Sequence, residues 1–143
     1  MKKLFTLLFL FVAFNHLLYA QNTLDNVGLT SAAPASVAYS LRQLSTSYTG
    51  PLVRIKVGVS FYDVYPDASA KNFSLNSKIS AAIGSYNAAV STPSANALST
   101  IITAGTTNAT VAIWYDQSGN QNNLTQVTQI YQPKIINAGS LIT

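Results

Sequence analysis

The chain has 143 residues, a formal net charge of +4 at pH 7 and no cysteine. Lys2 and Lys3 stand at its start, and the rest holds six basic and four acidic residues, a net charge of +2. This excess is too small and too scattered to predict a nucleic-acid partner. Without cysteine, disulfide bonds are excluded, and the stability of the one modest domain that this length allows must come from packing.

The first twenty residues have the layout of a bacterial secretory signal peptide. Lys2 and Lys3 form a short positive region, and residues 4–14 are apolar except for one threonine. This run matches the core of a signal peptide and is shorter than the about 20 apolar residues that span a membrane. We predict cleavage after Ala20 and a secreted or cell-surface protein that leaves the membrane after cleavage. Leu18, a large residue three positions before the cut, leaves an uncleaved anchor as the alternative.

Residues 21–35 are predicted to be a polar lead-in to the domain, which spans 36–143. Within residues 36–47, apolar side chains recur at steps of four and three, which predicts one face of a helix. Ser36 suits the N-cap of this helix, and Gly50 followed by Pro51 suits its end.

The next segment alternates between apolar and other side chains. This alternation over residues 52–59 predicts a half-buried strand, in which Arg54 and Lys56 form a solvated basic side. Residues 61–65 are predicted to continue the sheet up to a turn at Pro66-Asp67.

Two further helices and one strand are predicted in the second half of the chain. Residues 77–89 and 94–103 are rich in Ser, Ala and Asn, but their larger apolar side chains keep helical spacing. Residues 110–115 are β-branched, apolar or aromatic, which predicts a strand.

A dense cluster of turn-forming residues follows this strand at once. Asp116 can accept hydrogen bonds from the backbone two residues further on, and Gly119 or Asn120 can take a positive φ without clash. Together with Ser118, these residues predict a structural turn, and we prefer this role for Asp116 to a catalytic one.

The amino-acid sequence of this region is similar to that of a known family. The sequences WYDQSGNQNNLTQ at 114–126, QPKIINAG at 132–139 and AYSLRQLSTSYTGPLVR at 38–54 resemble the catalytic domain of α-L-arabinofuranosidase B, which also occurs in bacterial surface proteins. The resemblance implies a concanavalin-like β-sandwich that releases terminal L-arabinofuranose from hemicellulose or pectin. It also makes residues 66–93 an insertion. The expected fold class is therefore mainly β, a partial concanavalin-like or jelly-roll sandwich with one or two short helices.

The residues that glycoside hydrolysis requires are missing. A retaining glycosidase uses two carboxyl groups about 5–5.5 Å apart. The chain has no glutamate, and its four aspartates are Asp25, Asp63, Asp67 and Asp116. The resemblance implies a Glu and an Asp downstream of the matching block, so no catalytic residue is carried over, and the domain is expected to be truncated. We expect Asp63 and Asp67 to be solvated or to form turns.

Histidine and cofactor chemistry are also excluded by composition. The one histidine, His16, lies in the leader, which removes Ser-His-Asp hydrolysis and imidazole metal sites from the mature chain. No glycine-rich phosphate loop is present, so no cofactor and no metal are predicted.

Aromatic side chains offer a binding hypothesis. Tyr62, Tyr65 and Trp114 are candidates for contact with sugar rings, and core packing is the alternative for each. Two functions remain open. The first is a secreted fragment of an arabinofuranosidase-B-like hydrolase domain without activity of its own. The second is a non-catalytic glycan-binding or adhesin-type surface module. A polysaccharide or surface glycan is the expected partner in either case. A third hypothesis is that the chain is a fragment that is unstable alone because its strand edges are exposed.

Overall fold

A computed structural model describes residues 23–29 and 35–142 of the chain. The predicted signal peptide and part of the predicted lead-in lie outside these residues. One short α-helix, α1 (Thr23–Asn26), and two 3₁₀ turns, η1 (Leu98–Ile101) and η2 (Gln129–Tyr131), are present in the described ranges. No helix within these ranges is both long and apolar enough to cross a membrane.

The described residues form one curled antiparallel sheet of eight strands. The spatial order is β4-β3-β2-β1-β5-β7-β8, and β6 pairs with β5 as well. This architecture confirms the mainly β prediction, and its half-barrel shape is consistent with part of a sandwich. The strands are β1 (Val53–Val57), β2 (Ser60–Val64), β3 (Lys78–Ser80), β4 (Pro93–Ala97), β5 (Ala109–Trp114), β6 (Leu124–Thr125), β7 (Lys134–Asn137) and β8 (Ser140–Leu141).

Strands β1 and β2 form the hairpin at the centre of the sheet. They are joined by Gly58 and Val59, and Val57 pairs with Ser60 across the turn. Gly58 has a φ of 59°, and glycine at the first of two loop positions is the pattern of a type II′ turn. The two strands predicted at 52–59 and 61–65 are therefore confirmed, and the first ends two residues earlier than predicted, at the turn.

The main hydrophobic core covers one face of the sheet. Register explains how β5 contributes to it: Ile55 lies opposite Val111, whereas Val53 lies opposite Trp114. A β-bulge between these pairs adds one residue, so Val111 and Trp114 point to the same face although they are three positions apart. The fully buried members of this core include Leu52, Val53, Ile55, Val64, Leu98 and Ile136.

A smaller apolar cluster lies on the opposite face. It contains Phe61, Ile83, Ala112, Ile113 and Tyr115. Ile83 reaches this face because it pairs with Phe61 in an isolated bridge, with two backbone hydrogen bonds of 2.8 and 2.9 Å. Both faces at the centre of the sheet are consequently covered.

The helices predicted at 36–47 and 77–89 are wrong, and the one predicted at 94–103 is reduced to the 3₁₀ turn η1. Residues 36–47 form an extended segment with bends and a single bridge between Arg42 and Asn72. Residues 77–89 contain β3 and a loop, and residues 94–103 contain most of β4 and then the 3₁₀ turn η1. The physical reason is that local and distant side chains occupy the backbone groups that a helix would pair.

Serine shows this competition in the second half of the chain. The Ser80 hydroxyl accepts a hydrogen bond from the Asp63 amide, and the Ser94 hydroxyl donates to the Ile79 carbonyl. Ser, Thr and Asn side chains offer the backbone such alternatives, which lowers their preference for helix interiors. Apolar spacing alone therefore overestimated the helix content.

Candidate functional site

The turn at residues 116–123 is organised around the carboxylate of Asp116. Its Oδ1 accepts hydrogen bonds from the amides of Ala38 and Ser118 at 2.8 and 2.9 Å. Its Oδ2 accepts from the Ser118 hydroxyl at 2.8 Å and from the Asn122 amide at 3.1 Å. The Asp116 amide in turn donates to Asn123 Oδ1 at 2.9 Å. The carboxylate thus holds both its own turn and a segment far away in sequence.

Gln117 makes further hydrogen bonds to the same distant segment. Its Oε1 accepts a hydrogen bond from the Leu44 amide at 2.8 Å, and its Nε2 donates to the carbonyls of Ser40 and Arg42 at 3.1 and 2.9 Å. Its own amide donates to the Ala38 carbonyl at 2.7 Å. One buried glutamine therefore keeps residues 38–44 extended. Sequence reasoning missed Gln117 because a glutamine in a polar turn has no spacing signal.

The remaining turn residues complete the attachment. Asn120 Nδ2 donates to the carbonyls of Ala35 and Ser36 at 2.9 and 3.1 Å. Gly119 takes a φ of 93°, and the second positive φ of the turn, 60°, belongs to Gln121 rather than to Asn120. The turn after β5 is in this way joined to residues 35–44.

Three of the four carboxylates are hydrogen-bonded to amides and hydroxyls of loops. Hydrogen bonds from Ser45 and the Thr46 amide lower the pKa of Asp25. Hydrogen bonds from the Ala70 amide, the Ser74 hydroxyl and the Ser69 amide lower the pKa of Asp67, which forms the predicted turn.

The pKa of Asp116 is also lowered by hydrogen bonds, although burial opposes this more strongly than at the other two aspartates. Burial alone would raise its pKa, but the hydrogen bonds from Ser118, Ala38 and Asn122 outweigh burial, and the pKa is lowered. A general acid needs a raised pKa, so the three residues are tuned away from acid catalysis.

The fourth carboxylate lies in a buried ion pair, which corrects two predictions. Arg54 and Asp63 are both 0% exposed, and they pair through Nε–Oδ1 at 2.7 Å and Nη2–Oδ2 at 2.8 Å. The expected solvated basic side at Arg54 is therefore wrong, and so is the expected solvated or turn-forming Asp63. The reason is register, because Arg54 and Asp63 are direct cross-strand partners in the β1–β2 hairpin.

The ion pair also fixes the loop that covers it. The Arg54 guanidinium donates to the carbonyls of Tyr86, Ala88 and Ala89 at 2.6, 2.7 and 3.1 Å. The Tyr115 hydroxyl donates to Asp63 Oδ1 at 2.7 Å. Every buried side-chain nitrogen and oxygen in the described residues has a hydrogen-bond partner.

The aromatic candidates for sugar contact lie at or near the core. Tyr65 is buried, and its hydroxyl donates to the Ser91 carbonyl. Tyr62 and Trp114 are partly buried and pack against the main core. Tyr131 in η2 is 69% exposed and is the one aromatic among the large exposed side chains of the described residues.

An open polar row, in which Lys134 is exposed and Lys56 and Thr110 are half-buried, crosses the face that carries the ion pair, nearer the β1–β2 turn. Lys56 pairs with Phe61 on one side and with Thr110 on the other, and Thr110 pairs with Lys134. Directly paired residues of antiparallel strands share a face, so the two lysines and the threonine between them point the same way. The 3₁₀ turn η2 lies beside this row, because Gln129 Oε1 accepts a hydrogen bond from Lys56 Nζ at 2.8 Å.

The described residues contain no cluster of three or more side chains suited to holding a metal ion. No family model, no curated protein and no solved structure matches this chain.

Proposed function

We propose that this chain is an exported, non-catalytic domain of the arabinofuranosidase-B-like type that binds a glycan without cleaving it. The observation that supports the absence of catalysis is that all four aspartate carboxylates are engaged in structural hydrogen bonds or an ion pair. Asp63 is paired with a buried arginine, and the other three aspartates each hold a loop through hydrogen bonds. With no glutamate in the sequence, no pair of free carboxyl groups remains for hydrolysis.

Glycan binding is supported by the surface beside the open row. Sugar recognition combines an exposed aromatic face with hydroxyl and amide groups that exchange hydrogen bonds. Tyr131 offers an exposed ring in η2, and Gln129 and Gln132 of the same turn are hydrogen-bonded to Lys56 and Thr110. The resemblance to arabinofuranosidase B supports a plant-type polysaccharide as the partner, and the leader supports export.

Two measurements on the purified exported protein test this proposal. Release of arabinose from p-nitrophenyl α-L-arabinofuranoside and from arabinoxylan is expected to stay at background. Retention on immobilised arabinan, arabinoxylan or pectic polysaccharide is expected, and bovine serum albumin provides the negative control. Circular dichroism establishes that the sample is folded.

Each outcome has a definite meaning for a folded sample. Arabinose release above background by the wild type that disappears in Asp116→Asn would overturn the non-catalytic proposal. Failure to bind any of the polysaccharides would remove the glycan-binding proposal and leave the inactive hydrolase fragment.

A further inference from the structure

We infer that the open row of Lys56, Thr110 and Lys134, together with Tyr131, binds a polysaccharide that carries carboxylate groups, a polyuronate. The inference rests on the proposed glycan-binding function and names its ligand class.

The row places two cations at a defined separation. Lys56, Thr110 and Lys134 occupy neighbouring positions on β1, β5 and β7. Adjacent strands lie about 4.8 Å apart, so the Cα atoms of the two lysines are about 10 Å from each other. A regular sheet thus fixes the bases of both long side chains.

The turn that carries Tyr131 is fixed to this row at two points. Lys56 Nζ donates to Gln129 Oε1 at 2.8 Å, and the Thr110 hydroxyl donates to Gln132 Oε1 at 2.7 Å. Gln132 Nε2 also donates to the Gln126 carbonyl at 2.7 Å. Because both glutamines are held, the turn that carries Tyr131 is preorganised, which reduces the entropy lost on binding.

The two ammonium groups keep hydrogen-bond capacity for a ligand. Each has three N–H donors. Lys56 donates one to Gln129, and Lys134 donates one to Asn137 Oδ1 at 3.2 Å. Neither lysine is paired with a carboxylate, since Arg54–Asp63 is the one ion pair found in the described part of the chain.

Charge complementarity favours an anionic ligand. Three of the four aspartates are buried and the fourth, Asp25, is half-buried, whereas Arg54 is the one cation of the described residues that is buried. Of the six described cations, four are exposed and Lys56 is half-buried, whereas no aspartate is exposed.

The small number of cations favours a polysaccharide over a nucleic acid as the ligand, because an exposed aromatic ring suits both. Tyr131 and its neighbour Ile130 are 69% and 82% exposed, and their apolar surface suits the faces of sugar rings. Nucleic-acid binding relies on a strongly basic patch with many phosphate contacts, which two lysines do not provide. A polymer with spaced carboxylates and sugar rings fits this surface better.

The experiment compares three polymers with the same exported protein at low and moderate salt. Polygalacturonate carries the carboxylates, its methyl ester has the same sugars without charge, and linear arabinan is neutral. Isothermal titration calorimetry is expected to show tightest binding to polygalacturonate, with an affinity that falls as salt rises.

Matched variants locate the binding. The double variant Lys56→Gln/Lys134→Gln is expected to bind polygalacturonate about tenfold more weakly. The control Lys71→Gln/Lys78→Gln removes the same charge at exposed positions outside the row and is expected to keep wild-type affinity. Tyr131→Ala is expected to weaken binding to polygalacturonate and to its methyl ester. Val59→Ala, a control at another exposed apolar position, is expected to leave both affinities unchanged.

The outcomes distinguish this inference from the function on which it rests. Absence of binding to all three polymers would remove both. Equal binding to all three, unchanged in the Lys56/Lys134 variant, would leave glycan binding intact and overturn the polyuronate. An equal loss in the two double variants, or equally tight binding to single-stranded DNA, would show an effect of net charge alone and would also overturn the inference.

Discussion

Asp116 accepts a hydrogen bond of 2.8 Å from the amide of Ala38, a residue 78 positions earlier in the chain. The bond joins the turn after β5 to the extended segment that precedes β1. Three further hydrogen bonds to the same carboxylate come from within the turn. The turn therefore has a tertiary role, because it holds a segment that forms no ladder with the central strands.

Asp116→Ala is expected to destabilise the protein by about 2–4 kcal/mol. The substitution leaves the amides of Ala38, Ser118 and Asn122 without their acceptor, and a buried unsatisfied group costs about 1–3 kcal/mol. Urea denaturation followed by tryptophan fluorescence measures the change. Ser118→Ala, which removes one of the two Ser118 contacts, is the control and should cost about 1 kcal/mol. A midpoint for Asp116→Ala equal to that of Ser118→Ala would contradict this role.

Acid is expected to destabilise the fold through Asp25, Asp67 and Asp116. The pKa of each is lowered from the ordinary value of 3.8 by hydrogen bonds in the folded state. A lowered folded-state pKa stabilises the protein above the unfolded pKa, and this contribution disappears as pH falls through the folded pKa. Urea midpoints should therefore be constant between pH 5 and 7 and decline as pH falls through about 4 and below.

Asp67→Asn provides the control for this pH dependence. The variant lacks one of the three titrating groups, so its midpoint should decline less steeply in acid than that of the wild type. Identical slopes for the two proteins would show that Asp67 does not contribute.

The Arg54–Asp63 pair is expected to tolerate joint replacement better than single replacement. Arg54→Met leaves Asp63 buried without its cation, and breaking such a pair costs about 3–5 kcal/mol. Arg54→Met/Asp63→Leu removes both charges and should recover part of this loss. The double-mutant cycle in urea measures the coupling, and additive losses would contradict it.

Lysine is not an adequate substitute at this position. Arg54 pairs with both carboxylate oxygens and also donates to three carbonyls of the covering loop, and an ammonium cannot match this planar geometry. Arg54→Lys should therefore destabilise the protein and increase proteolytic cleavage in residues 84–91. Wild-type resistance to protease in this variant would show that charge alone holds the loop.

Gly139→Ala is expected to destabilise the β7–β8 hairpin by about 2–4 kcal/mol, from positive φ and overpacking together. Gly139 has a φ of 79°, and an added Cβ would lie 2.6 Å from Ala104 Cα and from the Thr103 carbonyl oxygen. Gly105→Ala is the matched control, since Gly105 has a φ of 80° but open space around its Cβ position. The control should lose only about 1–2 kcal/mol. Thermal unfolding of both variants measures the difference, and equal losses would contradict the steric argument.

Local patterns in the sequence determined the central strands and the turn after β5. Strands β1, β2 and β5 were predicted because alternation and β-branched residues describe a strand without reference to distant contacts. The same holds for Asp116 and Gly119, whose turn chemistry is local. The mainly β class, in contrast, was what the family resemblance implied.

Tertiary contacts decided the remaining structure. The segment 36–47 has helical spacing, but Gln117 and Asp116 bind its backbone in an extended form from a distant turn. Arg54 has the position of an exposed strand residue, but pairing with Asp63 and the covering loop buries it.

The open row could not be predicted from the sequence either. Lys56 and Lys134 become neighbours only because Thr110 on β5 pairs with both of them across the sheet. The sequence by itself determined the elements whose stabilising contacts are local. The tertiary structure decided the extended segment, the buried ion pair and the row of lysines. The physical reason is that each depends on hydrogen bonds or strand register between residues far apart in the chain, and periodicity does not encode these.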